Sequence, residues 1–293
     1  MTENTNPKYS EFDLWPMNEA IGAMFQGQIE AIEAINPALP SIATAAKSAA
    51  QNLRKKGRLV YVGAGTSGRL AVQDGVELTP TFGWPKERLV YCLAGGMDAL
   101  VQSVEGAEDL ENDGTGAIIN NNIGENDVVI GVAASGQTPF TLGALKEANK
   151  RGALTIGIVN NLNSPIEQEA RHEIVVNSGE EVLAGSTRMK AGTTQKIILN
   201  MLSTAIMSKL GHVYDGLMVD MVISNKKLEN RAVEMVSKIA NCNEDEAISA
   251  ISLAKNNIKL AILLALGKPE NLAKETLIRA DGNLRDALNI VNK

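Results

Sequence analysis

Through the middle of the chain, short apolar runs alternate with amphipathic stretches. Residues 58–63, 89–94, 127–133, 154–159 and 173–176 are almost continuously apolar and are bounded by turn residues. Strands of that kind are buried on both faces, which predicts a parallel sheet covered by helices. The alternation therefore predicts an α/β fold, a doubly wound and mostly parallel five-stranded sheet flanked by helices. Ligands are expected at the carboxyl ends of its strands. Residues 17–56 carry a helical pattern that Pro37 and Pro40 divide in two. A long helix is predicted over 189–210, with Ile197, Ile198, Met201, Leu202, Ala205 and Ile206 forming one apolar stripe. Beyond Asn225 the strand signals vanish. Short helical patterns follow, separated by turns near Asn243, Gly267-Lys268-Pro269 and Asp281-Gly282-Asn283. The expected organisation is a loose arm at 1–16, one α/β domain at 17–225, and a small all-helical appendage at 226–293.

Composition narrows the partners. The 293 residues are 44% hydrophobic, enough for a sizeable core, but only 3% aromatic. Scarce aromatics argue against base-stacking nucleic-acid modules, and a net charge of −6 argues against nucleic acid and anionic membranes alike. An anionic ligand must then be held by local donors. Cys92 and Cys242 show no metal-type spacing and read as structural thiols. The polar start of the chain and the absence of an apolar run of membrane-spanning length lead to the expectation of a soluble cytoplasmic protein.

The chemistry sits at two strand ends. The run Gly63-Ala64-Gly65-Thr66-Ser67-Gly68-Arg69-Leu70 closes the first strand and opens a helix at once. Such a turn can surround a phosphate with backbone N–H groups at the positive end of a helix. Ala134-Ser135-Gly136-Gln137-Thr138-Pro139 repeats the arrangement after the third strand, with Pro139 suited to a first helical turn. One such turn alone often only caps a helix. Two of them at core strand ends point to a phosphorylated ligand. The first turn also fits the dinucleotide pattern G-x-G-x-x-G, but Leu93-Ala94-Gly95-Gly96 stands where an acidic ribose ligand belongs, so dinucleotide binding is disfavoured.

Candidate acid–base groups are few. Glu77 lies among apolar and small residues, where desolvation would raise its pKa and suit it to proton donation. Residues 97–109 read as a helix carrying Glu105, Glu108 and Asp109, which taken singly are also compatible with a solvated acidic face. His172 and His212 read as structural. The stretch Ser186-Thr187-Arg188-Met189-Lys190 brings cations to a helix N-terminus, which disfavours them and so suggests an anion nearby. Pairing with Glu180 and Glu181 is the structural alternative.

Taken in order, these stretches, with Pro80-Thr81-Phe82-Gly83 and Glu105-Gly106-Ala107-Glu108-Asp109, resemble the N-acetylmuramic acid 6-phosphate etherases of the sugar isomerase (SIS) superfamily. The resemblance runs from about Ile32 to Asp220, and the helical tail is also similar. Val76 and Leu78-Thr79 flank Glu77 where the family pattern often has Ser and Cys-Pro. The resemblance implies a cofactor-free, metal-free lyase that cleaves the D-lactyl ether of a phosphorylated amino sugar. It implies Glu77 as proton donor and Glu108 as the second catalytic group, in the role of base, with Glu105 the alternative. Gly65, Thr66, Ser67, Ser135, Gly136, Gln137, Thr138, Ser186 and Lys190 are the substrate contacts it suggests. A sugar-phosphate-sensing regulator and a sugar phosphate isomerase are the competing readings.

Spacing adds one constraint. Glu77 lies ten positions beyond Ser67, about 15 Å along a continuous helix, and Glu108 would lie similarly far along the next one. One hexose phosphate cannot easily reach both from its own loops. A two-fold homodimer is therefore expected, in which the carboxylates act on sugar held by the neighbouring subunit.

Overall fold

The structure, a computed structural model, describes residues 2–54 and 56–291. Met1, at the start of the expected arm, Lys55, and Asn292 and Lys293, at the end of the expected appendage, lie outside the described residues. Contacts divide the chain into two compact units: Met1–Gly75 with Glu87–Ala205, and Val76–Lys86 with Ile206–Lys293. The expected boundary at residue 225 compares with a change of unit after Ala205, and the second unit also takes the short segment after Gly75.

The first unit holds the sheet. Its strands are β1 (Leu59–Gly63), β2 (Leu89–Leu93), β3 (Val128–Ala133), β4 (Leu154–Val159) and β5 (His172–Val175), in spatial order β2-β1-β3-β4-β5. Every pairing is parallel. The central strands β1 and β3 are buried along their whole length, whereas the edge strands β2 and β5 are partly open.

Helices cover both faces. On one, α2 (Leu39–Leu53) lays Ile42, Ala45, Ala46, Ala49 and Leu53 against β3, β4 and β5. On the other, α4 (Glu111–Asn120) and α5 (Pro139–Lys150) bury Ile118, Phe140, Ala144 and Leu145 with Val60, Val62 and Val129 of the sheet. Pro37 and Pro40 split the preceding helical stretch as expected, leaving α1 at Met17–Glu33 and a 3-10 turn at Asn36–Ala38 before α2. The arm is not loose. Residues 2–16 carry two 3-10 turns, Tyr9 is buried, and the Tyr9, Phe12 and Trp15 rings pack together at 5.4–6.4 Å.

At the amino ends of the strands, Arg58 donates through its Nε and Nη2 to the two carboxylate oxygens of Asp127, at 3.2 and 2.8 Å, and its backbone N–H joins them at 2.8 Å. Burial works to raise the Asp127 pKa, but these hydrogen bonds and the Arg58 charge outweigh it and hold the carboxyl below its ordinary value.

Two helices run across the division between units: α3 (Gly65–Phe82) and α7 (Lys190–Lys209). The buried line of α7 runs through Ile198, Leu199, Leu202 and Ile206, while Ala205 is exposed, so the predicted stripe is slightly rotated. Remaining in the first unit is α6 (Pro165–Glu169), started by a capping box between Ser164 and Glu167. The second unit contains α8 (Lys226–Ala240), α9 (Glu244–Leu253), α10 (Ile258–Ala265), α11 (Glu270–Arg279) and α12 (Leu284–Val291). Its core forms around α10, whose Ile258, Leu260, Ile262 and Leu263 are all buried with Met235 and Val236 of α8. Cys242 falls in the turn between α8 and α9 and not within a helix. No described helix is long and apolar enough to cross a membrane.

Candidate functional site

Strand order decides where the site forms. The chain leaves β1 for β2 on one side and returns to place β3 on the other, so the connections after β1 and β3 diverge. A crevice opens at the carboxyl ends of strands wherever the order switches in this way. Here it is a cleft of about 850 Å³ whose walls include Gly65, Thr66 and Ser67 after β1 and Ser135, Gln137 and Thr138 after β3. Six of the residues expected from sequence are thus brought together.

The wall after β1 is held by close backbone contact. Gly68 N–H closes onto Ala64 O at 3.0 Å. A Cβ on Gly68 would sit 2.8 Å from the Gly63 carbonyl group and collide with Leu93, so only glycine lets α3 start this close to the strand end. The first amides of α3 have no acceptor within the helix and so are available to a ligand. On the other wall, Ser135 Oγ accepts from Gln137 N–H at 3.2 Å, shaping the turn into α5. Gly136 stands at φ +68, and its carbonyl accepts from Ile166 N–H at 3.0 Å. Gly136 is not part of the cleft wall; it shapes the turn, and a side chain there would run into Ser164.

Glu108 lines the same cleft, with Asp109 beside it. This corrects the expected helix over 97–109. The segment forms two separate 3-10 turns, Met97–Leu100 and Ala107–Asp109, interrupted by Gly106 at φ +74. The second turn brings Glu108 back over the carboxyl end of the sheet instead of carrying it away, so Glu108 does not lie far along a helix from its own loops. Glu105 lies in an adjoining small pocket.

Glu77 behaves differently. It is exposed within its unit, so the expected desolvation is not met. The buried carboxylate of α3 is Asp74, 4% exposed, which accepts from Tyr61 Oη at 2.9 Å, Asn200 Nδ2 at 2.6 Å and Ser203 Oγ at 3.0 Å. Burial raises the Asp74 pKa, against the opposing pull of those hydrogen bonds. The apolar neighbours that suggested burial of Glu77 split between inside and outside, with Leu78 2% and Val76 53% exposed.

Lys190 is also corrected. It does not line the cleft; its buried ammonium lies 3.5 Å from Glu30 Oε2. The anion at the start of α7 is internal. Glu181, 1% exposed, accepts from the backbone N–H groups of Lys190 and Ala191 at 2.9 and 3.0 Å. Of the expected alternative partners, Glu181 meets the helix start, through its backbone amides. Ser186 lies between two wall residues, Gly185 and Thr187, without lining the cleft itself.

Four contributions escaped sequence reasoning: Glu3, Asn4, Asn161 and Thr187 all line the cleft. Asn161 exchanges hydrogen bonds with buried Thr2, accepting from its N–H at 3.1 Å and donating to its Oγ1 at 3.0 Å. It also reaches the Ser135 carbonyl at 3.5 Å, and Thr2 O accepts from Gly185 N–H at 3.2 Å. The position of Asn161 just past the end of β4 is the one signal that could have found it. Among the described residues, no lysine or arginine lines the cleft. An anion there meets amides, hydroxyls and side-chain amides on one part of the wall and carboxylates on another. No group of three or more potential metal ligands occurs among the described residues.

Two family models match the chain: the glucokinase regulatory protein N-terminal SIS domain over residues 41–149 and the SIS domain over residues 102–205. An N-acetylmuramic acid 6-phosphate etherase from Deinococcus radiodurans is 44% identical over 288 residues, 98% of this chain and 94% of that protein. N-acetylmuramic acid 6-phosphate etherase 1 from Bacillus licheniformis is 46% identical over 262 residues, covering 89% and 86%. Among solved structures, a phosphoheptose isomerase from Francisella tularensis aligns with a TM-score of 0.51 at 20% identity, over 66% of this chain and all of that one. A putative phosphosugar isomerase involved in capsule formation from Bacteroides fragilis aligns at 0.52 and 22%, over 69% and 95%. Those two likenesses speak for the fold alone.

Proposed function

The chain belongs to the N-acetylmuramic acid 6-phosphate etherases, and from that premise we propose how its cleft carries out the reaction. The enzyme cleaves the D-lactyl ether of N-acetylmuramic acid 6-phosphate to give N-acetylglucosamine 6-phosphate and D-lactate. Ring opening exposes an aldehyde that acidifies the C2 proton. A carboxylate removes that proton, and an acid protonates the lactate oxygen as its bond to C3 breaks. Water then adds to the unsaturated intermediate, its oxygen to C3 and a proton to C2, so the sum is substrate plus water to the two products.

Glu108 takes the proton from C2. The observation that carries this is its place in one cleft with the Gly65–Ser67 and Ser135–Thr138 loops, whose amides and hydroxyls suit the phosphate and sugar. Glu77 is the proton donor and comes from a second copy of the chain. Its exposure supports that arrangement, as does its place on an uninterrupted helix twelve positions past Gly65, about 18 Å by helical rise. Desolvation by the second copy would then supply the environment an acid needs.

The first experiment is to incubate the protein with N-acetylmuramic acid 6-phosphate and assay D-lactate; an isomerase or a regulator releases none. Sharing of sites has its own test. Glu77→Ala and Glu108→Ala are each expected to be inactive, and subunit exchange between them should restore roughly a quarter of wild-type activity, because half the dimers are hybrids with one intact site of two. No recovery after verified exchange would sink the shared site while leaving the reaction standing.

A further inference from the structure

A second, smaller cavity of about 240 Å³ opens beside the cleft and shares Ala64, Gly65 and Glu108 with it. Its remaining wall is mostly small and apolar, with Ala94, Ala99 and Val104, and it holds Arg69 and Glu105. Arg69 is the one cation among the described residues lining either cavity.

Arg69 stands one turn into α3, directly after the phosphate-type loop, and is half-buried. Its Nε donates to Ala99 O at 2.9 Å and its Nη2 to Gln102 O at 3.5 Å, which fixes the guanidinium plane against the 3-10 turn at Met97–Leu100. A guanidinium has five donors, so most of its capacity stays unspent. Glu105 shares the pocket but forms no ion pair with it, and no other described carboxylate does. An oriented, partly desolvated guanidinium without a counter-ion is suited to a planar carboxylate.

The substrate carries two anions, and the structure separates the groups that could receive them. The loops of the main cleft offer neutral donors and, among the described residues, no cation, fitting phosphate. The side pocket offers one arginine against small apolar walls, next to Glu108. Its volume lies below the roughly 300–1,000 Å³ common for drug-sized ligands and suits a fragment of a few atoms. We propose that this side pocket is the subsite for the D-lactyl arm, with Arg69 receiving its carboxylate and the alanine and valine side chains its methyl group. The proposal rests on the etherase reading. It makes Arg69 the residue that tells substrate from product, because N-acetylglucosamine 6-phosphate has lost the carboxylate.

The test is a ratio of affinities in a Glu108→Gln background, where substrate persists. Calorimetry would give the Kd of N-acetylmuramic acid 6-phosphate and of N-acetylglucosamine 6-phosphate for Arg69, Arg69→Lys and Arg69→Gln. Arg69→Gln should weaken the first ligand roughly 10- to 100-fold, as expected for a charge-assisted hydrogen bond, and change the second less than about twofold. Arg69→Lys should fall between, since it keeps the charge but loses the fork, and it decides the matter if the glutamine variant does not fold. Equal weakening of both ligands would make Arg69 a prop for the loop, and no weakening of either would leave the pocket without a role; both overturn the proposal. Failure of the etherase reading is seen separately, as absent D-lactate release by the wild-type protein.

Discussion

A charged cluster of the helical unit and the cleft of the α/β unit use their charged groups in different ways. In the helical unit, the Lys259 ammonium is buried and donates to Asp220 and to Gly282 O, while His212 Nδ1 lies 2.8 Å from the same Asp220. Lys259 and Asp220 satisfy one another, whereas His212 Nδ1 is close to the carboxylate without a hydrogen bond among the described residues. In the α/β unit, the cleft carboxylates Glu108 and Asp109 have no ion-pair partner among the described residues, and the hydroxyls around them face a cavity. A polar residue is thus assigned to structure or to chemistry by whether its bonding capacity is already used. Residue type alone does not say.

Substitutions can separate the two behaviours. Glu108→Gln should lower kcat by about 10²–10⁴-fold with an unchanged melting temperature, since it removes a proton acceptor that supports no described contact; a large loss of stability would instead class Glu108 with Lys259. Lys259→Met should cost about 3 kcal/mol in urea unfolding, the lower end for breaking a buried pair because Asp220 keeps some solvent. Ser135→Ala should raise the substrate KM roughly 10- to 100-fold at near-constant kcat, the value of one hydrogen bond to a charged ligand.

The smallest effect is electrostatic. The Asp127 carboxyl is held below its ordinary 3.8, so the folded state binds fewer protons than the unfolded chain just below that pH. Its stabilisation is complete above 3.8 and is lost as pH falls through the folded-state value. Asp127→Asn should flatten the acid limb of a stability–pH curve; an unchanged limb would show that the Arg58 pair contributes nothing.

Much of the fold was legible because buried parallel strands announce themselves as unbroken apolar runs, and all five strands begin and end within one residue of the expected bounds. The site was half legible. Loops such as Gly65–Ser67 are contiguous in sequence, so their chemistry can be read locally, whereas Glu3, Asn161 and Thr187 meet only through tertiary folding. The error at 97–109 came from reading Glu105, Glu108 and Asp109 onto one helical stretch; Gly106 in the left-handed region ends any helix there. The environments expected for Glu77 and Lys190 were misplaced for a shared reason. Neighbouring residue types suggested an environment, and the actual one was set in part by a residue far away in sequence, Glu30 for the Lys190 ammonium.

The junction of Gly63 and Gly68 carries a consequence for how this cleft can change over time. Donors that belong to peptide groups survive any exchange of side chains around them, and are lost only if the chain itself is displaced, as a methyl at position 68 would do. Ligand preference can therefore drift through the surrounding side chains while the anchoring of a ligand's charged end persists.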